Sequence, residues 1–264
     1  TAKVGGHLVY NGQLFVTAYT YYDADNGQTA SHFVRPVSLS VKSQLRGPIT
    51  LQGAPARWLA EYMATIPSEW QAAFGGPALT GLGGIPIASA SSVGPAAAVF
   101  DPSNLAKGAS LVVGYPLDKN LATRYGFSET SGANPIWNLT SSVGGVVFPS
   151  GSRSVLFFGA HGTGTYCYGE GGVNGQCYDP FSTVKGPHAF PYRYQVWAYD
   201  ANDLADVKAG TKKSYEVVPY STWELSLPYT PSHGLGQING VAYDPSVQQI
   251  YISQACIGEG CGPI

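Results

Sequence analysis

His161 and His188 bracket the segment HGTGTYCYGEGGVNGQCYDPFSTVKGPHAF, with Tyr166, Glu170 and Asp179 between them and Tyr192 and Arg193 just beyond. A histidine beside a tyrosine can take up and return protons, and a nearby guanidinium neutralises a carboxylate. Lyase chemistry on uronic-acid sugars needs that combination. Glu170 with Asp179 offers another chemistry, because two carboxyl groups about 5–10 Å apart across a sugar hydrolyse its glycosidic bond. Neither arrangement has a sequence spacing that tests it, and a His or Tyr in a Gly-rich loop is more often a satisfied hydrogen-bonding residue. The candidate catalytic residues are therefore His161, His188, Tyr166, Glu170 and Arg193, for a polysaccharide lyase or glycoside hydrolase if the protein is an enzyme.

Other residues suit binding. Tyr21, Tyr22, Tyr168, Tyr192 and Trp70 would form a stacking surface for sugars if exposed together, since Tyr and Trp present apolar faces with polar edges. Core packing competes for Trp137, Trp197 and Trp223, which lie in or beside apolar runs. Asp23 and Asp25, followed by Asn26 and Gly27, alternate as in a calcium loop, which makes Ca2+ a candidate cofactor. The full twelve-residue pattern is missing, and an Asx turn explains the same residues. His32, at a strand start, reads as a buried and bonded histidine. Asn138 in NLT is a glycosylation acceptor only in a secreting eukaryote.

The chain has no GxSxG elbow, P-loop, HExxH or GxGxxG in a strand-to-helix context, so serine hydrolase, nucleotide-binding and zincin readings lack support. Only 11% of its 264 residues are charged, against about 25% in an ordinary domain, and 34 glycines and 19 prolines make it turn-dense. The net charge of −2 and the lack of any basic run beyond Lys212-Lys213 leave no footprint for nucleic acid. A neutral, hydroxyl-rich partner is more compatible. No apolar run reaches the ~18 residues of a membrane span.

The four cysteines form two close pairs, Cys167/Cys177 and Cys256/Cys261, without histidines at zinc-site spacing. Two local disulfides follow, and with them a secreted or periplasmic location. The chain starts at Thr1 rather than Met, which fits removal of a leader.

These residues must be positioned by strands. VGGHLVYNGQLFVTAY from Val4, VGGVVFPSGSRSVLFFG from Val143 and INGVAYDPSVQQIYISQ from Ile238 share a pattern: an apolar residue, a small pair ending in Gly, an apolar run closing on an aromatic, a turn and a second apolar run. Each predicts a β-hairpin. SHFVRPVSLS, AAAVFDPSNLAKG and YQVWAYDANDLADVKAG supply third strands, and SLVVGYP and YEVVPYSTWELSLP outer ones. Hairpin, third strand and outer strand in repetition is the order of a β-propeller blade.

The expectation is one all-β domain over 1–264, with about three and a half four-stranded blades: Val4–Thr50, Leu51–Leu117, Val143–Pro228 and a fourth from Ile238. A β-sandwich is the alternative. Blade two must draw its hairpin from EYMATIPSEWQAAFGGPALTGLGGIPIASAS, which lacks the clean motif. Short helices are expected in PARWLAEYM and PSEWQAAFG, with one turn in ANDLADVKAG. An unfinished ring leaves unpaired edges, so a further segment or another chain is expected to complete it.

In such a blade the second-to-third connections gather on one face, which places YTYYDADNGQTA, the His161–Phe190 loop and ACIGEGCGPI together. Long structureless loops are frequently functional, although a disulfide-stapled cap over the core explains this one equally well. The segments GGHLVYNGQLFVTAYTYYDA, YMATIPSEWQAAFGGPALTG, SVLFFGAHGTGTYCYGEG and HAFPYRYQVWAYDANDL resemble a set of exported bacterial proteins of uncharacterised function and propeller-like build. That resemblance carries no catalytic motif, and it implies longer chains with additional sequence ahead of the first hairpin. The expected function is carbohydrate binding at the loop-rich face, with cleavage if the catalytic residues converge. The rival is a noncatalytic structural or adhesive extracellular protein that assembles through its loops and open edges.

Overall fold

A computed structural model describes residues 2–20, 22–40, 44–84, 87–124, 134–227 and 237–255. It is all-β with few helices, built from three four-stranded antiparallel sheets and two hairpins. The first sheet joins β1 (Ala2–Tyr10), β2 (Gln13–Thr20), β3 (His32–Pro36) and β4 (Arg46–Ile49) in sequence order. The second joins β5 (Tyr62–Thr65), β6 (Ala78–Gly81), β7 (Ala97–Phe100) and β8 (Ala109–Val113). The third joins β9 (Ser142–Val147), β10 (Ser154–Gly162), β13 (Tyr192–Asp200) and β14 (Ser221–Leu225). Two strands, β11 (Cys167–Glu170) and β12 (Lys185–His188), pair within the long loop after β10, and β15 (Gln237–Asp244) pairs with β16 (Gln249–Ala255).

The hairpins, third strands and outer strands thus fall where the sequence pattern puts them. The hairpin of the second sheet is interrupted by α1 (Ser68–Phe74), which ends at Gly75 in the left-handed region, and this explains its missing motif. The 3₁₀ turn Ala56–Trp58 precedes it, and α2 (Leu121–Arg124) is a single turn. ANDLADVKAG forms α3 (Ala201–Ala209), longer than the expected one turn, because Asp200 caps its start by accepting from Asn202 N and Gly210 adopts positive φ at its end.

Alternation along the strands buries both faces of the inner sheets. Met63, Ala78, Ala98 and Phe100 of the second sheet meet Leu8, Phe15 and Val34 of the first. Its other face, with Tyr62, Leu79, Ala97 and Val99, meets Val155, Phe157, Trp197 and Tyr199 of the third. The third sheet in turn packs Val147, Phe158, Ala160 and Val196 on Ile238, Val241 and Ile252 of the β15–β16 hairpin. Four layers in series replace the two of a sandwich. Among the described residues they do not close into a ring or barrel.

The glycine pairs mark where the layers touch. Gly5 and Gly6 lie against Ala60, Tyr62 and Met63; Gly83, just past β6, lies against Val143; Gly144 and Gly145 lie against Ile238 and Val241. The hairpin registers shift at the glycines of the β1 and β15 motifs. A Cβ on Gly144 would overlap the carbonyl oxygen of Ile238. Gly144→Ala is therefore expected to cost about 3 kcal/mol or more, as overpacking against rigid backbone does, whereas Gly186→Ala, with open space around it, should stay within about 0.5 kcal/mol. Urea unfolding of the two variants checks the contrast, and equal midpoints would refute it.

The starts of β1, β5, β9 and β15 therefore neighbour one another. Since each second strand runs back to that end, the connections after β2, β6 and β10 emerge there together. The opposite end carries the Asn11–Gly12 turn, α1, the turn before β10 and α3, with Trp70 Nε1 donating to Ser152 O and α1 touching α3.

Candidate functional site

The loop after β10 is not structureless. The disulfide Cys167–Cys177 joins β11 to the returning chain, and the register sets Cys167 opposite His188 and Glu170 opposite Lys185. Just beyond Cys177, Asp179 is 1% exposed and collects three donors. Its Oδ2 lies 2.9 Å from His188 Nδ1 and accepts from Tyr192 Oη at 2.7 Å, while Oδ1 accepts from Phe181 N at 3.1 Å. His188 Nε2 lies 2.9 Å from Val184 O, so both of its ring nitrogens are engaged internally. Burial, reinforced by the Asp179 carboxylate, pushes the Tyr192 phenol above its ordinary pKa.

His161 is fully buried in β10. Its Nε2 lies 2.7 Å from the carbonyl oxygen of Asn134, to which it must donate, and its Nδ1 accepts from Ser141 Oγ at 2.8 Å. Burial holds its pKa down at about 4. A Ser–His contact of this length is the geometry of an activated serine. Here, however, the third partner is a carbonyl, Ser141 is also buried, and Ser141 Oγ accepts from Asn138 N, so the pair serves to hold the connection before β9.

The remaining candidates disperse. Tyr166 is buried in the core with Trp137 and Trp197 rather than facing a ligand. Glu170 is exposed, and Asp179, its proposed partner for hydrolysis, is enclosed, so the two do not face each other across an open cleft. Arg193 spends Nε and Nη2 on Gln195 Oε1 at 3.0 and 2.8 Å. Trp70 belongs to α1 at the opposite end and packs on Phe74 and Phe148, so it cannot join a surface with the loop tyrosines. Tyr22 and Tyr168 are exposed. Tyr21, Cys256 and Cys261 lie outside the described residues. Trp137 and Trp197 pack together in the core at 5.0 Å, but Trp223 is largely exposed on β14.

Asp23 holds its turn through its side chain. Its carboxylate accepts from Gly27 N and Gln28 N, each at 2.9 Å, and pairs with Arg57 at 3.1 Å; these amides and the guanidinium hold its pKa below the ordinary value. Arg57 thus provides the positive charge that calcium would bring, and Asp25 is exposed. No group of three or more metal-ligating side chains occurs among the described residues. Asn138 is buried with its Nδ2 donating to Gly162 O, so the folded chain does not present it for glycosylation.

No family model, curated protein or solved structure matches the chain. Roles here rest on geometry.

Three features were missed from the sequence. Tyr178 and Phe181 flank Phe190, with ring centroids 5.7 and 5.6 Å away, and both remain exposed. Glu61, at the meeting of the first two sheets, accepts from Gly83 N, Gly84 N and Tyr19 Oη, and burial raises its pKa. A cavity of about 280 Å³ is lined by Asp118, Lys119, Asn120, Thr123, Tyr215 and Glu216, with Lys119 Nζ 5.8 Å above the Tyr215 ring. Each joins residues that are far apart in sequence, or aromatics whose exposure no pattern reveals.

Proposed function

We propose that this protein is an extracellular binding module, the blades of a β-propeller, that holds a carbohydrate at its loop-rich end without cleaving it. The observation that carries this reading is the division of labour in the disulfide loop: its titratable interior is consumed by Asp179, His188 and Tyr192, while aromatic rings stay outside. General acid–base catalysis needs a group within reach of the substrate proton, and buried, saturated His161 and His188 offer none in this conformation. The intramolecular disulfide is consistent with an extracellular setting, and no described helix is long and apolar enough to cross a membrane. Serial packing of four-stranded meanders supports the propeller reading.

Retention on a polysaccharide panel, followed by mass spectrometry of the soluble fraction, tests this function. Retention without shorter products is the expected result. Release of oligosaccharides, unsaturated or hydrated, would restore the lyase or hydrolase reading, and no retention on any glycan would remove carbohydrate binding.

A second reading, a structural or adhesive protein, is favoured by the outward face of the first sheet. The register places Val9, Leu14, Val16 and Phe33 on that face, and Val9 is 58% exposed. Such an apolar strip, which shares the face with His7 and Arg35, suits a further layer from the same polypeptide or another chain. Sedimentation of the full chain distinguishes the readings, since assembly through this face yields concentration-dependent oligomers that a Val9→Lys, Val16→Lys variant disperses.

A further inference from the structure

We propose that Tyr178 and Phe181, seated on Phe190, form the stacking platform for an uncharged glycan; this rests on the reading of the loop-rich end as a binding surface. Large aromatics are normally drawn inward, yet these two are 60% and 48% exposed. They are also fixed. Cys177 is tied to Cys167 on one side of Tyr178, Asp179 is held by His188 and Tyr192 on the other, and Phe181 N donates to Asp179 Oδ1. Phe190 meets Tyr178 and Tyr192 edge-on, at interplanar angles of 75° and 74°, and Phe181 at 56°, so each exposed ring offers its own face. Such rings lose little conformational freedom when a ligand settles on them.

The charge pattern selects the ligand. Between 163 and 191 the acidic and basic side chains are Glu170, Asp179 and Lys185, with His188 the only other ionisable base. Asp179 and His188 are buried against each other, and Glu170 faces Lys185 in the hairpin register. No guanidinium from this segment is available for a uronate. What fits is a neutral pyranose whose apolar C–H face lies on the rings while its hydroxyls reach the polar chain around them. A protein partner needs about 800 Å² of matched surface per side. In sequence the rings are bordered by Gly171, Gly172, Asn174, Ser182 and Thr183, with Val173 and Val184 the two exposed apolar residues among them, less apolar surface than such an interface needs.

The test titrates the full disulfide-bonded chain with neutral cello-, xylo- and chito-oligosaccharides and with oligogalacturonate as the acidic comparator, by calorimetry. Tyr178→Ala and Phe181→Ala should each weaken binding of a neutral oligomer about tenfold or more, the loss expected of a central anchor. Tyr178→Phe should retain affinity, and thermal midpoints should remain close to the parent. If the parent chain binds a neutral glycan and both alanine variants bind it equally, the platform is refuted while the carbohydrate function stands. Preference for oligogalacturonate refutes the neutral-ligand assignment. If the parent binds none of the panel, the carbohydrate function itself fails; dispersal of a parent oligomer by the alanine variants would then mark the rings as a protein contact.

Discussion

Acidification from about pH 7 to about pH 4.5 should strip about 5 kcal/mol of histidine-linked stability from this chain, a large part of what a domain usually possesses. His32 and His161 are fully buried, and burial lowers the pKa of each from 6.5 to about 4. Each also has a neutral hydrogen-bond set: His32 lies between Ser31 Oγ and Thr80 Oγ1, each 3.0 Å away, and His161 lies between Ser141 and Asn134. Because the folded state resists protonation, the unfolded state binds more protons below pH 6.5. The stabilisation is therefore complete above 6.5 and is lost as pH falls toward 4, with each ring contributing up to about 3 kcal/mol. Glu61 works in the opposite direction, since its raised pKa makes the folded state gain from protonation as acid is added. Urea unfolding across this range, with proton uptake measured at about pH 5, checks the expectation. Net uptake on unfolding and a falling midpoint should appear together; a flat midpoint without net uptake would show that the two rings are protonated in the folded state.

The same histidines show how far the sequence could be read. The hairpins were legible because period-two apolar runs separated by turn residues leave few other folds, and the glycine pairs recur because adjacent layers leave no room for a Cβ. Their recurrence near Val4, Val143 and Ile238 is the imprint of that packing constraint on the sequence. The interrupted hairpin in the second sheet hid its motif behind α1. Side-chain chemistry was less legible. His161 and His188 are alike in sequence, each preceding small residues in a loop-rich region, yet one is neutral against a serine and a carbonyl and the other is clamped to a carboxylate. Only tertiary partners separate those fates. Trp70 and Tyr168 looked interchangeable as stacking residues, and the chain path set them at opposite ends.

Asp179→Ala should be the most damaging single change in the disulfide loop, because one carboxylate satisfies His188, Tyr192 and Phe181 N at once. Removing one member of a buried pair strands the others, which costs about 3–5 kcal/mol. The loss should appear as loop opening rather than global unfolding, since the apolar faces of the third sheet do not depend on Asp179. Native-state hydrogen exchange at Cys177 and Asp179, whose amides donate to Glu170 O and Gly172 O, reads it directly. Asp179→Asn should cost less, because the remaining oxygen can still accept from Phe181 N. Coupling to the disulfide follows from placement, since Cys177 and Asp179 fasten adjacent points of one short segment. In a Cys167→Ser, Cys177→Ser background the segment is already partly released, so Asp179→Ala should cost less there than in the parent. Equal costs in the two backgrounds would mean that the bonds act on separate units, and Tyr178 would then be held by the disulfide alone.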